Sequence, residues 1–283
     1  NKKHKHKTEV EKMLNVGVIG CGGMGKDHIK RLTEKIQGAQ VVAVSDVFEE
    51  GAKEAAKIAG GAKVYTDGKD LINDPDVDAV FIVSPGFAHT ESLLQAIEAG
   101  KRVFCEKPLA TTADDCKKIV EAEVASGKHL IQLGFMRRYD KGYVQVKEAL
   151  KSGEYGEPLI LHCTHRNPEV GTNYNTPMAV HDTAIHEIDT LHWLVDDEYE
   201  SAQVIMPKVT KYSHSELKDP QIMLLRTKRG ICIDVEVFVN CKFGYDINCE
   251  VVCEDGAIKM AQHLIHQSEK MLQYQQRSIQ IAL

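Results

Sequence analysis

Leu14-Asn15-Val16-Gly17-Val18-Ile19-Gly20-Cys21-Gly22-Gly23-Met24-Gly25 is the stretch that decides the fold. Residues 14–20 form a short apolar run ending in glycine, and from Met24 onward apolar residues recur at helical spacing, through Ile29 and Leu32. The pattern predicts strand, tight turn and helix. Gly20, Gly22 and Gly25 take the first, third and sixth places of G-x-G-x-x-G. The first allows the turn, the second lets backbone approach a pyrophosphate, and the third permits close helix-to-strand packing. Gly23 and Met24 join them as expected cofactor contacts, because a helix N-terminus offers N–H donors and the positive end of a dipole. A simple tight turn would also explain the glycines, so the context has to decide.

Asp46 supplies that context. It ends a second expected strand, residues 41–45, about 20 residues on, where a carboxylate can accept from both hydroxyls of an adenosine ribose. The same carboxylate would repel a 2′-phosphate, and neither Val47 nor Phe48 offers a cation, so NAD is expected over NADP. A helix N-cap is the plainer role for Asp46.

The alternation continues outward. Helices are expected over 49–59, 88–99 and 112–126, and strands over 78–83, 102–105 and 129–133. The strand at 78–83 is nearly all apolar, as a parallel strand covered on both faces should be. A bridging helix over 141–151 and a turn at 153–158 end this rhythm. Alternating segments follow at 159–165, 202–208, 221–227, 231–239 and 245–252, with one helix over 180–195, a pattern of antiparallel sheet. The fold class is therefore α/β, a Rossmann-type doubly wound parallel sheet of about six strands, then an α+β domain whose sheet is mostly antiparallel. The expected divisions are a disordered tail over 1–12, a nucleotide-binding domain over 13–136 and a substrate domain over 137–283. The glutamine-rich stretch from 261 shows no evident strand partner, and the His- and Lys-rich tail ahead of Met13 reads as lying outside the fold.

Bulk properties narrow the partners. A formal net charge of −6 disfavours nucleic acid, whose binding needs a dense basic face. No apolar run approaches the roughly 20 residues of a membrane-spanning helix, and no membrane partner is expected. The eight cysteines include no Cys-x-x-Cys pair and no secretory signal precedes them, so they are expected to be reduced cytosolic thiols acting as small buried hydrophobes.

Two segments carry candidate chemistry. Cys105-Glu106-Lys107-Pro108 follows an expected strand at the sheet edge where open α/β folds bind ligands, although a solvated surface lysine is the common alternative. In the helix over 181–195, Ala184, Ile185, Ile188, Leu191 and Val195 form an apolar stripe, while Asp182, His186, Asp189 and Trp193 recur at i, i+4, i+7 and i+11 on another face. That face could be solvated, or could chelate zinc if His181 or His165 joined it.

Gly20 to Gly25, Asp46, Glu106-Lys107-Pro108, Gly134-Phe135-Met136-Arg137-Arg138-Tyr139-Asp140 and His186-Glu187-Ile188-Asp189 together resemble the Gfo/Idh/MocA oxidoreductase family over residues 13–259. The Met-Arg-Arg-Tyr-Asp string points to its inositol branch. The resemblance implies NAD-dependent oxidation of myo-inositol, or a close cyclic polyol, to the ketone. It implies Lys107, Asp182 and His186 as the catalytic group: His186 takes the hydroxyl proton, Lys107 orients and polarises that hydroxyl, and Asp182 steadies either partner. An imidazole suits the proton transfer and a lysine the developing alkoxide. Ser84, Pro85, His89, Glu106 and Lys107 are carried over as cofactor contacts, and Met136, Arg137, His165, Asn167 and Tyr245 join the catalytic group as polyol contacts. No metal is implied; a cytoplasmic homotetramer assembled through the second sheet is. An aldose or sugar-derivative dehydrogenase is the nearest rival, and a non-catalytic NAD sensor, which would lose the lysine or histidine, the rival of another class. Two departures stand out: Gly86 where relatives commonly carry Asn, and a segment after Met260 unlike theirs, which leads to the expectation of a truncated or frame-altered chain.

Overall fold

The computed structural model describes residues 13–260 and the backbone of residues 279–282; the expected tail at 1–12 lies outside the described residues, as does 261–278. The chain divides into two compact units, residues 1–134 and 135–283, two residues before the boundary read from the sequence.

The N-terminal unit is a parallel sheet of six strands in the order β3-β2-β1-β4-β5-β6. Its strands are β1 (Leu14–Ile19), β2 (Ala39–Ser45), β3 (Lys63–Tyr65), β4 (Ala79–Ile82), β5 (Arg102–Cys105) and β6 (Ile131–Leu133), and its helices α1 (Gly23–Glu34), α2 (Glu49–Ile58), α3 (Gly68–Asn73), α4 (His89–Glu98) and α5 (Ala113–Ala125). Apolar cores fill both sheet faces. Val16, Val18 and Val44 pack with Ile29 and Leu32 of α1 and the alanines of α2 on one side, and Val80, Ile82 and Val103 with Leu93 and Ile119 on the other. Each such side chain, fully buried, contributes about 1.5–3 kcal/mol, which holds α1 and its glycine turn firmly against the sheet. The sequence reading missed β3 and α3: three half-exposed residues at a sheet edge and six residues of helix capped by Asp67 carry too little periodicity to register.

The strand order reverses between β1 and β4, whose carboxyl ends open the crevice where such sheets bind ligands. Gly20, Asp46, Ser84 and Glu106-Lys107 all follow the ends of β1, β2, β4 and β5 at this edge.

The C-terminal unit holds a sheet of seven strands in the order β13-β12-β11-β7-β10-β9-β8. They are β7 (Pro158–Arg166), β8 (Tyr199–Ile205), β9 (Gln221–Thr227), β10 (Cys232–Phe238), β11 (Asp246–Cys253), β12 (Ala257–Met260) and β13 (Ile279–Ala282). Only the β7–β10 pair is parallel; the other pairings are antiparallel. Alternation places Leu161 and Cys163 of β7, Val235 and Val237 of β10, and Ile247 and Cys249 of β11 in one core with α6 (Lys141–Ser152) and α7 (Ile185–Val195). β8 begins three residues before the expected segment at 202–208, because its side chains are almost all exposed and show no alternation to read. Within the stretch expected to lack a strand partner, 279–282 pairs with β12. The expected helix over 180–195 is α-helical only from Ile185; Ala179–Ala184 is a π-helical turn. Six of the eight cysteines are buried, but Cys232 is exposed and Cys116 partly so, departing from the buried reading.

Candidate active site

In the N-terminal unit the cofactor edge is made chiefly of backbone. Gly20 has φ +95°, a conformation other residues rarely adopt, and a Cβ there would stand 2.4 Å from the Ser84 nitrogen. A Cβ on Gly25 would reach 1.9 Å from the Gly20 carbonyl oxygen, so this glycine is what lets α1 start flush against the turn. Gly22 and Gly23 face open space, and no side chain caps α1, which leaves its first N–H groups directed outward. Asp46 is aimed by two backbone donors, Cys21 N–H to Oδ2 at 2.7 Å and Phe48 N–H to Oδ1 at 2.9 Å. Each oxygen keeps a further lone pair for a ribose hydroxyl. Val47 and Phe48 beside it are exposed. The turn, the uncapped helix start and the acid fit a dinucleotide carrying an unphosphorylated ribose. The N-cap alternative for Asp46 does not hold, since the N-cap of α2 is Phe48.

At the end of β5, Glu106 accepts from His28 Nε2–H at 2.8 Å and from the Lys107 amide at 3.3 Å. Burial pushes the Glu106 carboxyl up, but the His28 hydrogen bond and charge and the Lys107 amide outweigh it and hold the carboxyl below its usual range. His28 packs edge-on against Phe81 and Phe104, so its position is fixed. Burial also pushes the neighbouring Cys105 thiol up to about 12, keeping it protonated.

His89 is completely buried, its Nδ1 2.7 Å from the Pro108 carbonyl oxygen and its Nε2 2.7 Å from that of Ser84. It ties the loop after β4 to the loop carrying Lys107, and both nitrogens are engaged in doing so. Gly86 lies against Pro108: a Cβ there would come within 3.1 Å of its ring. A side chain at position 86 would therefore press on the loop of Lys107.

In the C-terminal unit the candidate groups are side chains. His165 continues the inward row of β7 after Leu161 and Cys163, and its Nδ1 lies 2.7 Å from Glu187 Oε2. Arg137, in the turn before α6, places Nη2 3.0 Å from Glu187 Oε1, a charge contact without hydrogen-bond alignment at that oxygen. Burial pulls the Arg137 guanidinium down, but Glu187 with Tyr143 and Tyr245 outweighs it and raises it above its ordinary value. Its charge is thus spent inside the unit.

His186 is nearly buried; its ring lies 6.5 Å from Phe135 and 6.2 Å from His165. Asp182 sits in the π-turn and accepts from His181 Nδ1–H at 2.8 Å. Tyr174 fastens this turn, 2.6 Å from the Thr183 hydroxyl and donating to the Met178 carbonyl at 2.7 Å. The face expected for Asp182, His186, Asp189 and Trp193 is therefore broken twice. The π-turn shifts Asp182 off the 100° register, and Asp189 is taken by Arg138 in a two-point ion pair. Trp193 instead lies over the Lys147 ammonium, 5.5 Å from its ring centre. Asn167 closes backbone bonds to Phe238 and Cys241, whereas Met136 and Tyr245 remain exposed.

Sequence reasoning missed Glu187 as a partner, together with His28 and Tyr174. The signal for Glu187 was present: with Ala184, Leu191 and Leu194 it occupies i, i+3, i+7 and i+10, the stripe that is in fact buried, while Ile185 and Ile188 sit at its margin. Among the described residues, no group of three or more His, Cys, Asp or Glu side chains is arranged to hold a metal ion.

Both stretches of the chain have counterparts among known proteins. Residues 14–135 match the model of the Gfo/Idh/MocA oxidoreductase family, NAD-binding Rossmann fold, and residues 143–259 that of the GFO/IDH/MocA C-terminal domain. The chain is 56% identical over 248 residues to the inositol 2-dehydrogenase of Pseudomonas syringae pv. syringae (strain B728a), covering 87% of this chain and 74% of that protein. An inositol 2-dehydrogenase/D-chiro-inositol 3-dehydrogenase of Shouchella clausii (strain KSM-K16) is 55% identical, with 87% and 72% covered. Among solved structures, myo-inositol dehydrogenase from Lactobacillus casei in complex with NAD(H) and myo-inositol superposes with a TM-score of 0.85 at 44% identity, covering 96% of this chain and 79% of that one.

Proposed function

From the premise that the chain belongs to the Gfo/Idh/MocA oxidoreductase family, we propose that it oxidises myo-inositol, or a close cyclic polyol, to the 2-keto product with NAD. The observation that carries this reading is the 56% identity to an inositol 2-dehydrogenase, which runs across both units. The chain's own chemistry supports it. Asp46, held by two backbone donors beside uncharged Val47 and Phe48, favours NAD. NAD, when bound, supplies the acceptor for the hydride that leaves the carbinol carbon.

The remaining work falls to side chains. Lys107, Asp182 and His186 act as one catalytic group, His186 taking the hydroxyl proton while the Lys107 ammonium stabilises negative charge building on that oxygen. Asp182 steadies them from the π-turn that Tyr174 fastens. Gly20, Gly22, Gly23, Met24 and Gly25 with Ser84 and Pro85 form the cofactor wall. Met136, Arg137, His165, Asn167 and Tyr245 form the polyol wall, Met136 and Tyr245 offering exposed surface to the ring. His89, buried and doubly engaged, serves the cofactor by bracing the loops on either side. We place the enzyme in the cytoplasm as a homotetramer built on the C-terminal sheet. No helix among the described residues is long and apolar enough to cross a membrane.

The test is NADH production over a panel of inositol isomers, aldoses and sugar acids, with Lys107→Ala and His186→Ala as controls. Turnover of myo-inositol that both substitutions abolish is the expected result. Stronger turnover of an aldose would overturn the substrate, and NAD binding without any turnover would overturn the enzyme.

A further inference from the structure

Glu187 brings a carboxylate into the apolar stripe of α7 with none of its surface exposed. A buried charge survives only when paired. Its partners are Arg137 Nη2, 3.0 Å from Oε1, and His165 Nδ1, 2.7 Å from Oε2. Arg137 Nη2 also lies 3.2 Å from His165 Nδ1. Proton bookkeeping resolves the three. A guanidinium only donates and an ionised carboxylate only accepts. The nitrogen 2.7 Å from Oε2 therefore carries a proton, and the Arg137 approach to it is donor against donor, held by the carboxylate they share.

We infer that Glu187 is a positioning residue that holds His165 as its Nδ1–H tautomer, leaving Nε2 as a hydrogen-bond acceptor for one hydroxyl of the polyol. The second half rests on the reading of His165 as a polyol contact; the first does not. The His165 ring lies 6.2 Å from that of His186 and 6.1 Å, edge to face, from that of Tyr245, beside residues assigned to the same substrate. An acceptor at Nε2 requires a hydroxyl that donates. An inositol carrying fluorine or hydrogen at that carbon cannot satisfy it, whereas a donor at Nε2 would tolerate fluorine. Glu187 thereby sets which edge of the ring is recognised without touching it.

The experiment is a long-range proton–nitrogen NMR correlation on the full chain labelled with nitrogen-15 histidine, with His165 assigned by the signal lost in His165→Asn. A protonated Nδ1 and a bare Nε2 at neutral pH are expected. Glu187→Gln should invert the pattern: Arg137 claims the amide oxygen, and the amide NH2 faces Nδ1. The KM for myo-inositol should then rise about tenfold, the loss expected for one good hydrogen bond, with the KM for NAD unchanged. A wild-type Nε2–H tautomer or an imidazolium overturns the inference even if Glu187→Gln fails to fold. An unchanged tautomer in a folded Glu187→Gln overturns it equally. The expected tautomer in a chain that turns over no polyol would sink the functional reading and leave the tautomer lock standing.

Discussion

The cofactor edge of the N-terminal unit is built from glycines, amides and carbonyls, with Asp46 and His89 held in place by that backbone. The candidate substrate wall of the C-terminal unit is built from Arg137, His165 and Glu187, charged or polar side chains buried in an otherwise apolar core. A backbone site tolerates changes in side-chain charge and fails when a Cβ is added. A side-chain site fails when one partner is removed, because the others remain buried without it. Each unit should therefore break by its own route, and the damage should stay within it.

The largest effect is expected from Lys107→Ala and His186→Ala, which should each lower kcat/KM for the polyol by about 10²–10⁴, while His186→Ala leaves NAD affinity intact in a fluorescence titration. Loss of NAD binding in His186→Ala would erase the separation of the two walls. Glu187→Ala strands a buried guanidinium and should destabilise the C-terminal unit by about 3–5 kcal/mol, read as a lower urea midpoint with NAD affinity preserved. Gly25→Ala is the converse. Its Cβ would stand 1.9 Å from the Gly20 oxygen, so α1 has to shift, which should cost about 1–3 kcal/mol and weaken NAD binding. A Gly25→Ala protein that binds NAD as tightly as before would show that the turn is not the cofactor wall. Asp46→Ser should narrow the preference for NAD over NADP by about tenfold, the value of one charged hydrogen bond, measured as the ratio of kcat/KM for the two cofactors.

The smallest effect concerns acid. Glu106 has its carboxyl held below 4.5 in the folded chain, by His28 and the Lys107 amide against the pull of burial. Its stabilising share is therefore full above that unfolded value and drains away as pH falls through the lower folded one. Glu106→Gln should remove this acid-side decline, so that the thermal midpoints of the two proteins converge as pH falls below 4.5; an unchanged gap would mean that another carboxylate sets the acid limb.

The same contrast explains what the sequence made legible. Strand β1, its turn and α1 are a local device, and Gly20, Gly25 and Asp46 lie within 27 residues, so their steric reasons are written side by side. The apolar strands β4 and β5 and the glycine stops of α2 and α4 were readable for the same reason. Glu187, Arg137 and His165 come from a helix, a turn and a strand, and nothing in their neighbours announces that they meet. Two local irregularities also hid the helix face: a π-turn moves Asp182 off the register that α-helical periodicity assumes, and Arg138 withdraws Asp189. The exposed strand β8 lacks the alternation that marked β9 and β10, and the three-residue β3 is too short to show any.

Strand β7 sits between β11 and β10, both made later in the chain, and Arg166 at its end reaches Glu236 and Asp246 across 70 and 80 residues. Loops of that length close slowly, and topologies rich in them fold late. During synthesis the N-terminal sheet has all its strands by residue 133, while β7 waits with both edges open until β10 is made at residue 238 and with one edge open until β11 is complete at residue 253. Until β10 arrives the inward row of Leu161, Cys163 and His165 has no sheet to belong to, and unpaired strand edges invite aggregation. Completion of the N-terminal sheet therefore precedes closure of both β7 edges by roughly the time needed to make about 120 residues, at about 5–20 residues per second. Chaperones that shield nascent strands should act on this protein chiefly in that window.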